Sequence, residues 1–378
     1  MRYLIAGGGT GGHIVPALNI ARALKDMDSN SQFLFIGSER GIEKELVSKA
    51  GFEIRLINAK PWAGICSLKN LSSCAFRIKA IIREFNADAI IGTGGYVSAP
   101  AVLASKMERK PLFVQEQNTY PGLATKLGSL FAKRVFLGFP DAEKFLWRKR
   151  RIAVTGNPVF MNIPNAGRER IYQEYGLQAD SFTILVTGGS QGASALNESV
   201  KKMIDEFGLP QNAQLIWQCG KNDFDIIEKW LDGKGIPVSL HAFIGDMASV
   251  YAVTNLVICR AGALTLAETA IAGLPAILVP YPYAAADHQK TNAQSMVNSG
   301  AAIMIEQRDL TPCLLYKSIT MLANDLEQLK RMSDASKALA KPDAAMVIAR
   351  EIYETLICEN LMKRENEKLT NNKNGGGL

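Results

Sequence analysis

This sequence has little that points to a metal cluster, a disulfide framework or a membrane span. Its six cysteines (Cys66, Cys74, Cys219, Cys259, Cys313 and Cys358) are scattered and form no C-x-x-C pair, a pattern that fits neither a zinc site nor a stapled secreted fold. No uninterrupted apolar run reaches the ~18 residues a spanning helix needs. The longest uncharged apolar stretch, 270–286, is broken by Pro275, Pro280 and Pro282. The apolar run Tyr3 to Ala6 is too short for the core of a signal peptide and runs into glycines, which predicts a cytoplasmic chain. Disorder is excluded as well, because 47% of residues are hydrophobic and only 21% are charged.

With 378 residues, the chain is well above the ~150 of one usual domain, so two cores are expected. The charge is unevenly divided. Residues 1–157 carry 23 Lys and Arg against 12 Asp and Glu, a balance of +11, whereas 158–378 carry 20 against 24, a balance of −4. Such asymmetry predicts a polyanionic partner for the first half, nucleic acid or an anionic membrane surface, unless the charge is only a solvated basic face. A nucleic-acid module would interleave aromatics with its cations. The sequence offers glycine turns and apolar-basic stretches instead, so no nucleic acid is expected.

The segment 3–6 reads as a buried strand, followed by the glycines 7–12 and a helical pattern over 13–24. Further strands are predicted at 32–36, 52–57, 89–92, 112–115, 134–137 and 152–155, with helical stretches between them. The alternation restarts at Thr183 to Thr187, followed by Gly188-Gly189-Ser190-Gln191-Gly192 and strands at 214–218, 238–242, 256–259, 276–279 and 302–305. Strands alternating with helices imply parallel sheets covered on both faces. The predicted fold class is α/β, with two doubly wound Rossmann-like domains facing across a cleft. We place them at 1–157 and 158–342. A last helix at about 343–361 packs back on the first domain, and 363–378 forms a disordered tail.

Gly7-x-Gly9-x-x-Gly12 matches the dinucleotide fingerprint, and Glu39 stands where an acid would hold a nicotinamide ribose. That leaves an NAD-dependent oxidoreductase open, but such an enzyme does not need the second glycine loop. A strand-turn-helix glycine loop also presents free backbone N–H groups to oxyanions and sugar hydroxyls. Gly92-Thr93-Gly94-Gly95-Tyr96 and Arg260-Ala261-Gly262-Ala263-Leu264-Thr265 have the same form. Glu268 follows the latter, where its carboxylate is either a ribose-diol acceptor or a helix-start acid favoured by the dipole.

Six ordered motifs carry a resemblance: 8–13 (GGTGGH), 94–98 (GGYVS), Glu116-Gln117-Asn118, Gly156-Asn157-Pro158-Val159, 188–192 and Gly262-Ala263-Leu264-Thr265. With family-like spacing from residue 3 to about 355, the chain resembles the MurG family of glycosyltransferase family 28. The resemblance implies a GT-B fold, with the acceptor on the N-terminal domain and the UDP-sugar mainly on the C-terminal one. It implies inverting transfer of N-acetylglucosamine from UDP to lipid I, giving lipid II, at the cytoplasmic face of the membrane and without a cofactor. Carried over by motif, Thr10, Gly11, Gly12, Asn118, Ser190, Ile244, Ala263, Leu264, Thr265, Glu268 and Gln289 would contact the donor, Ile244 through its backbone to uracil. Tyr96 would lie on the acceptor side. The family's Arg after Gly-Asn-Pro-Val is Phe160 here, and Arg168 or Arg260 is the candidate replacement cation. A UDP-N-acetylglucosamine 2-epimerase, which shares the two-domain fold, is the second enzyme reading.

Inverting transfer requires a base on the acceptor hydroxyl and stabilisation of the departing diphosphate. His13 is the first candidate base, with orientation of the glycine loop as its alternative role, and Glu116 is the rival base or an orienter of the acceptor. Loop amides at two helix N-termini can meet the diphosphate charge, so no metal is expected. Asp223-x-Asp225 has the spacing of a metal motif, but Asp223 is read as an N-cap. Two segments are candidates for an anionic membrane surface. One is the stripe Leu68, Leu71, Ala75, Ile78 and Ile82, for which a core role is at least as favoured. The other is Phe145-Leu146-Trp147 leading into Arg148-Lys149-Arg150-Arg151.

Overall fold

The computed structural model describes residues 1–39, 41–60, 66–164 and 166–374. The chain forms two compact units. Unit 1 is Met1–Gln117, Pro121–Val159 and Asp343–Leu378, and unit 2 is Asn118–Tyr120 and Phe160–Pro342.

Unit 1 is built on seven parallel strands, β1 (Arg2–Gly7), β2 (Gln32–Ser38), β3 (Glu53–Ile57), β4 (Ala89–Gly94), β5 (Leu112–Glu116), β6 (Arg134–Leu137) and β7 (Ile152–Val154). Their order across the sheet is β3-β2-β1-β4-β5-β6-β7. The chain winds outward from β1 in one direction, then returns and winds the other way from β4, so the switch lies between β1 and β4. Because side chains alternate across a strand, Leu4 and Ala6 of β1 join one core and Tyr3 and Ile5 the other.

The first core is covered by the helices Cys66–Phe85 and Ser98–Met107. Ala75, Ile78 and Ile82 of the apolar stripe are buried there, so this stripe is core and the exposed Phe76 lies outside it. On the outer side Lys79 and Arg83 pair with Glu108. The Leu68 side chain lies outside the described residues.

The other core is covered by the helix Gly11–Met27 and by the C-terminal helix Ala344–Asn374, which pack on each other. Ile348 and Ile352 are fully buried, so truncating either to Ala costs about 2–5 kcal/mol. Ion pairs Lys133–Glu359 and Arg134–Glu351 tie the same helix to the β6 side. The C-terminal helix is described as far as Asn374, and the stretch 363–374 contains neither Gly nor Pro.

Unit 2 repeats the layout with six parallel strands, β8 (Phe182–Thr187), β9 (Ala213–Gln218), β10 (Val238–His241), β11 (Leu256–Cys259), β12 (Ala276–Leu278) and β13 (Ala302–Met304). Their order is β10-β9-β8-β11-β12-β13, with the switch between β8 and β11. Trp217 of β9 is fully buried, and its indole N–H donates to Asn197 Oδ1 at 3.0 Å, which satisfies the one polar atom that burial would otherwise strand.

Candidate functional site

Each switch point brings two glycine turns side by side. In unit 1, Gly7 at the end of β1 is paired with Gly94 at the end of β4, and the helix Gly11–Met27 starts just beyond. Gly94 has φ +100°, and a Cβ there would sit 2.7 Å from His13 Nδ1, so only glycine allows the imidazole this close. The turn is braced by Ser98, whose Oγ accepts Gly94 N–H at 2.9 Å and lies 2.6 Å from the Ala6 carbonyl. Thr93 Oγ1 donates to the His13 carbonyl at 2.8 Å. His13 is half-buried, and its Nδ1 lies 2.8 Å from Gln117 Oε1.

Thr10 and Gly12 are exposed and Gly11 half-exposed at the helix start, and the Thr10 side chain makes no capping bond there. Glu43, which sequence reasoning passed over, is fully buried and accepts the Gly9 N–H, so that amide is closed to an oxyanion. Tyr96 packs its ring under Gly9, and its hydroxyl lies 3.0 Å from Ser38 Oγ. Glu116 is buried, with Oε2 accepting Gly122 N–H at 3.0 Å. Its carboxylate therefore braces the loop that enters the helix Leu123–Gly128.

In unit 2, β8 ends at the 188–192 loop and β11 at the turn into the helix Ala263–Ala272. Gly192 has φ +76°, and a Cβ would lie 2.2 Å from the Cys219 carbonyl, so the loop is pressed onto the end of β9. Ser190 is exposed at its tip. Ala263, Leu264 and Thr265 form the first turn of their helix, at the positive end of its dipole. Glu268, one turn on, is half-buried, and Tyr251 donates to its Oε2 at 3.1 Å. Burial pushes the carboxyl up to about 7, and the phenol hydrogen bond acts against that rise.

Asn292, fully buried, gathers the neighbouring strands of chain: its Oδ1 accepts from Thr119 N and Oγ1 at 2.9 and 3.0 Å, and its Nδ2 reaches Asn118 Oδ1 at 3.1 Å and the Ala261 carbonyl at 3.2 Å. Asn118 is thereby brought next to the turn before Ala263. Gln289 Oε1 accepts Tyr281 N–H at 2.9 Å, which directs its Nε2 donor away from that bond. Ile244 N–H donates to Gln218 Oε1 at 2.8 Å, so its amide is already engaged.

The comparisons with known proteins span this whole arrangement. Residues 3–137 match the Glycosyltransferase family 28 N-terminal domain and residues 183–348 the Glycosyltransferase family 28 C-terminal domain. An enzyme of Acetivibrio thermocellus named UDP-N-acetylglucosamine--N-acetylmuramyl-(pentapeptide) pyrophosphoryl-undecaprenol N-acetylglucosamine transferase is 34% identical over 372 residues, covering 97% of this chain and 99% of the relative. The enzyme of that name from Halothermothrix orenii is 38% identical over 369 residues, covering 94% and 99%. The chain belongs to the MurG family. The crystal structure of Acinetobacter baumannii MurG superposes with a TM-score of 0.76 at 29% identity, over 93% of this chain and 99% of that one, and the two Rossmann-like units are those of the GT-B fold.

Arg260, a candidate replacement for the family's cation at Phe160, is buried and donates to the Val279 and Pro280 carbonyls at 3.0 and 3.2 Å and to Gln307 Oε1 at 2.6 Å. Arg168 is exposed at the start of its own helix. Asp223 is not an N-cap. Gly220 holds that position, and Asp223 stands in the first turn of the helix Lys221–Leu231, accepting Asn197 Nδ2 at 2.6 Å. Among the described residues no three His, Cys, Asp or Glu side chains gather as a metal-binding group, and no helix is long and apolar enough to cross a membrane. Gln117, Gln218, Tyr251 and Asn292 were missed as site residues. Gln117 had a signal in its place inside the Glu116-Gln117-Asn118 motif, and Asn292 in closing the run 287–292 that holds Gln289.

Proposed function

We propose that this chain, like the MurG enzymes it matches, transfers N-acetylglucosamine from UDP-N-acetylglucosamine to the C4 hydroxyl of the muramyl sugar in lipid I, with inversion, giving lipid II for peptidoglycan. The observation that carries this is the end-to-end match to enzymes of that name, 34–38% identical over 99% of their length. The 2-epimerase structures that share the fold are 14–16% identical, which speaks for the fold alone.

His13 Nε2 takes the proton of the acceptor hydroxyl. The hydroxyl oxygen then attacks the anomeric carbon from the face opposite UDP, and the bond to the β-phosphate oxygen breaks with its electron pair leaving on UDP. General-base help of this kind is worth about 10²–10⁴-fold. The amides of Ser190 and Gln191 at the tip of the 188–192 loop, together with the helix N-terminus at Ala263, Leu264 and Thr265, meet the growing diphosphate charge; the Gly189 and Gly192 amides are engaged within the loop. The Glu268 carboxylate accepts the two ribose hydroxyls, the Ile244 carbonyl the uracil N–H, and Gln289 Nε2 donates to a sugar hydroxyl. Thr10, Gly11, Gly12, Asn118 and Ser190 complete the donor contacts, and Tyr96 holds the glycine loop on the acceptor side.

The lipid-linked acceptor stays in the bilayer, so the basic first half docks peripherally on the anionic cytoplasmic leaflet. Phe145 and Trp147 are exposed beside Arg148, Lys149, Arg150 and Arg151, with Leu146 buried as the anchor. Incubation with UDP-N-acetylglucosamine and a short-chain lipid I analogue tests the reading. UDP release with a new disaccharide product is expected; conversion of the UDP-sugar to its 2-epimer without an acceptor overturns it.

A further inference from the structure

Beside His13, three buried carboxamides stand in a row, Asn157, Gln115 and Gln117. Backbone carbonyls, which only accept hydrogen bonds, decide which way each one faces. The Gln117 carbonyl takes a bond from Asn157 Nδ2 at 3.0 Å, so Asn157 turns its oxygen the other way. That oxygen faces Gln115 Nε2 at 3.2 Å, and the same nitrogen reaches the Glu116 carbonyl at 3.1 Å. Gln115 accordingly offers its Oε1 to Gln117 Nε2, which also donates to the Thr93 carbonyl at 2.8 Å. The last atom in the row is Gln117 Oε1, an acceptor, 2.8 Å from His13 Nδ1.

We propose that Gln117, backed by Gln115 and Asn157, is a positioning residue that locks neutral His13 as the Nδ1–H tautomer and leaves Nε2 as its basic nitrogen. Reversing one amide would set oxygen against oxygen at the Thr93 carbonyl and at Gln115 Oε1, and reversing the whole row would do the same at Asn157 and the Gln117 carbonyl. Buried polar groups left in such pairs are costly, so the row has one low-energy sense. Among the described residues no hydrogen bond reaches His13 Nε2. The locked form is the opposite of the Nε2–H form that histidine free in water prefers. An amide orients the ring without placing a charge beside it. The catalytic use of this device rests on His13 being the base; the tautomer itself does not.

The test uses the full chain with ¹⁵N-labelled histidine. The sequence has three histidines, His13, His241 and His288, and His13→Gln assigns the signals by their loss. Long-range ¹H–¹⁵N spectra at a pH where the ring is neutral are expected to show a protonated Nδ1 and an unprotonated Nε2 at His13. A predominant Nε2–H form in the wild type overturns the proposal. Gln117→Leu is expected to move His13 toward Nε2–H and to lower kcat about tenfold or more, with the donor KM within about twofold. A folded Gln117→Leu variant that keeps Nδ1–H also overturns it, and if that variant does not fold the wild-type spectrum alone decides. Should Nδ1–H be found while His13→Ala keeps full kcat, the tautomer lock stands and the base assignment fails.

Discussion

The Tyr251 hydroxyl and the Glu268 carboxylate meet at 3.1 Å, linking the helix Met247–Val253 to the helix Ala263–Ala272. Tyr251 is buried and Glu268 half-buried. Burial, together with the Glu268 charge, drives the phenol well above its ordinary range, and burial raises Glu268 to about 7. The carboxylate expected to receive the ribose thus titrates near neutrality in the free protein.

Donor binding is therefore expected to depend on pH. Ribose hydroxyls donate to the ionised carboxylate, so the donor binds the deprotonated form better. With a value of about 7, the donor KM should fall about tenfold from pH 6 to pH 8. Glu268→Gln should flatten that profile and raise KM with acceptor affinity kept. Tyr251→Phe, which removes a bond favouring the charged form, should move the midpoint upward. Steady-state kinetics across pH decide; an unchanged donor KM in Glu268→Gln removes the ribose assignment.

The same group makes stability fall as pH rises. The ordinary value is 4.5 and the folded value about 7, so the native state holds more protons in that window and Glu268 favours folding at its lower end. That contribution is lost progressively as pH climbs through 7. Thermal melts of the ligand-free protein at pH 5 and pH 8 should show a smaller difference for Glu268→Gln than for the wild type.

His13→Ala should lower kcat about 10²–10⁴-fold with little change in UDP affinity, since the proton is taken only in the transition state. A change confined to the acceptor KM would make His13 a positioning residue and bring Glu116 forward as base, even though its carboxylate braces Gly122.

Activity should survive excess EDTA, since loop amides and helix N-termini are proposed to meet the diphosphate charge. Complete loss, restored by Mg²⁺ or Mn²⁺, would return Asp223 and Asp225 to consideration as ligands despite the Asn197 bond to Asp223.

Replacing Arg148, Lys149, Arg150 and Arg151 by Gln should weaken co-sedimentation with anionic vesicles and reduce its salt dependence, while turnover of a water-soluble acceptor persists. Each cation near such a surface is worth about 1 kcal/mol. Trp147, 55% exposed beside them, should show a fluorescence shift on vesicle binding. Undiminished binding by the four-Gln variant would take this segment off the membrane face.

The sequence by itself determined the α/β layering and the strand-turn-helix units. Buried parallel strands are nearly continuous apolar runs, and glycines mark the sharp turns after them, so both signals are local; β6 and β11 have the very bounds that their apolar runs predict. It also located the glycine turns and, through six ordered motifs, the family. Tertiary structure decided the rest. Strand order placed Gly7 beside Gly94 although they lie far apart in the chain. Packing made the 75–82 stripe core, because a helix covering a sheet and a helix lying on a membrane share one periodicity. Asn157 and Gln115 join Gln117 only once β5 and the segment after β7 are folded together. A carboxamide leaves no mark in composition or period, and which of its ends accepts is settled only by the carbonyls that surround it in space.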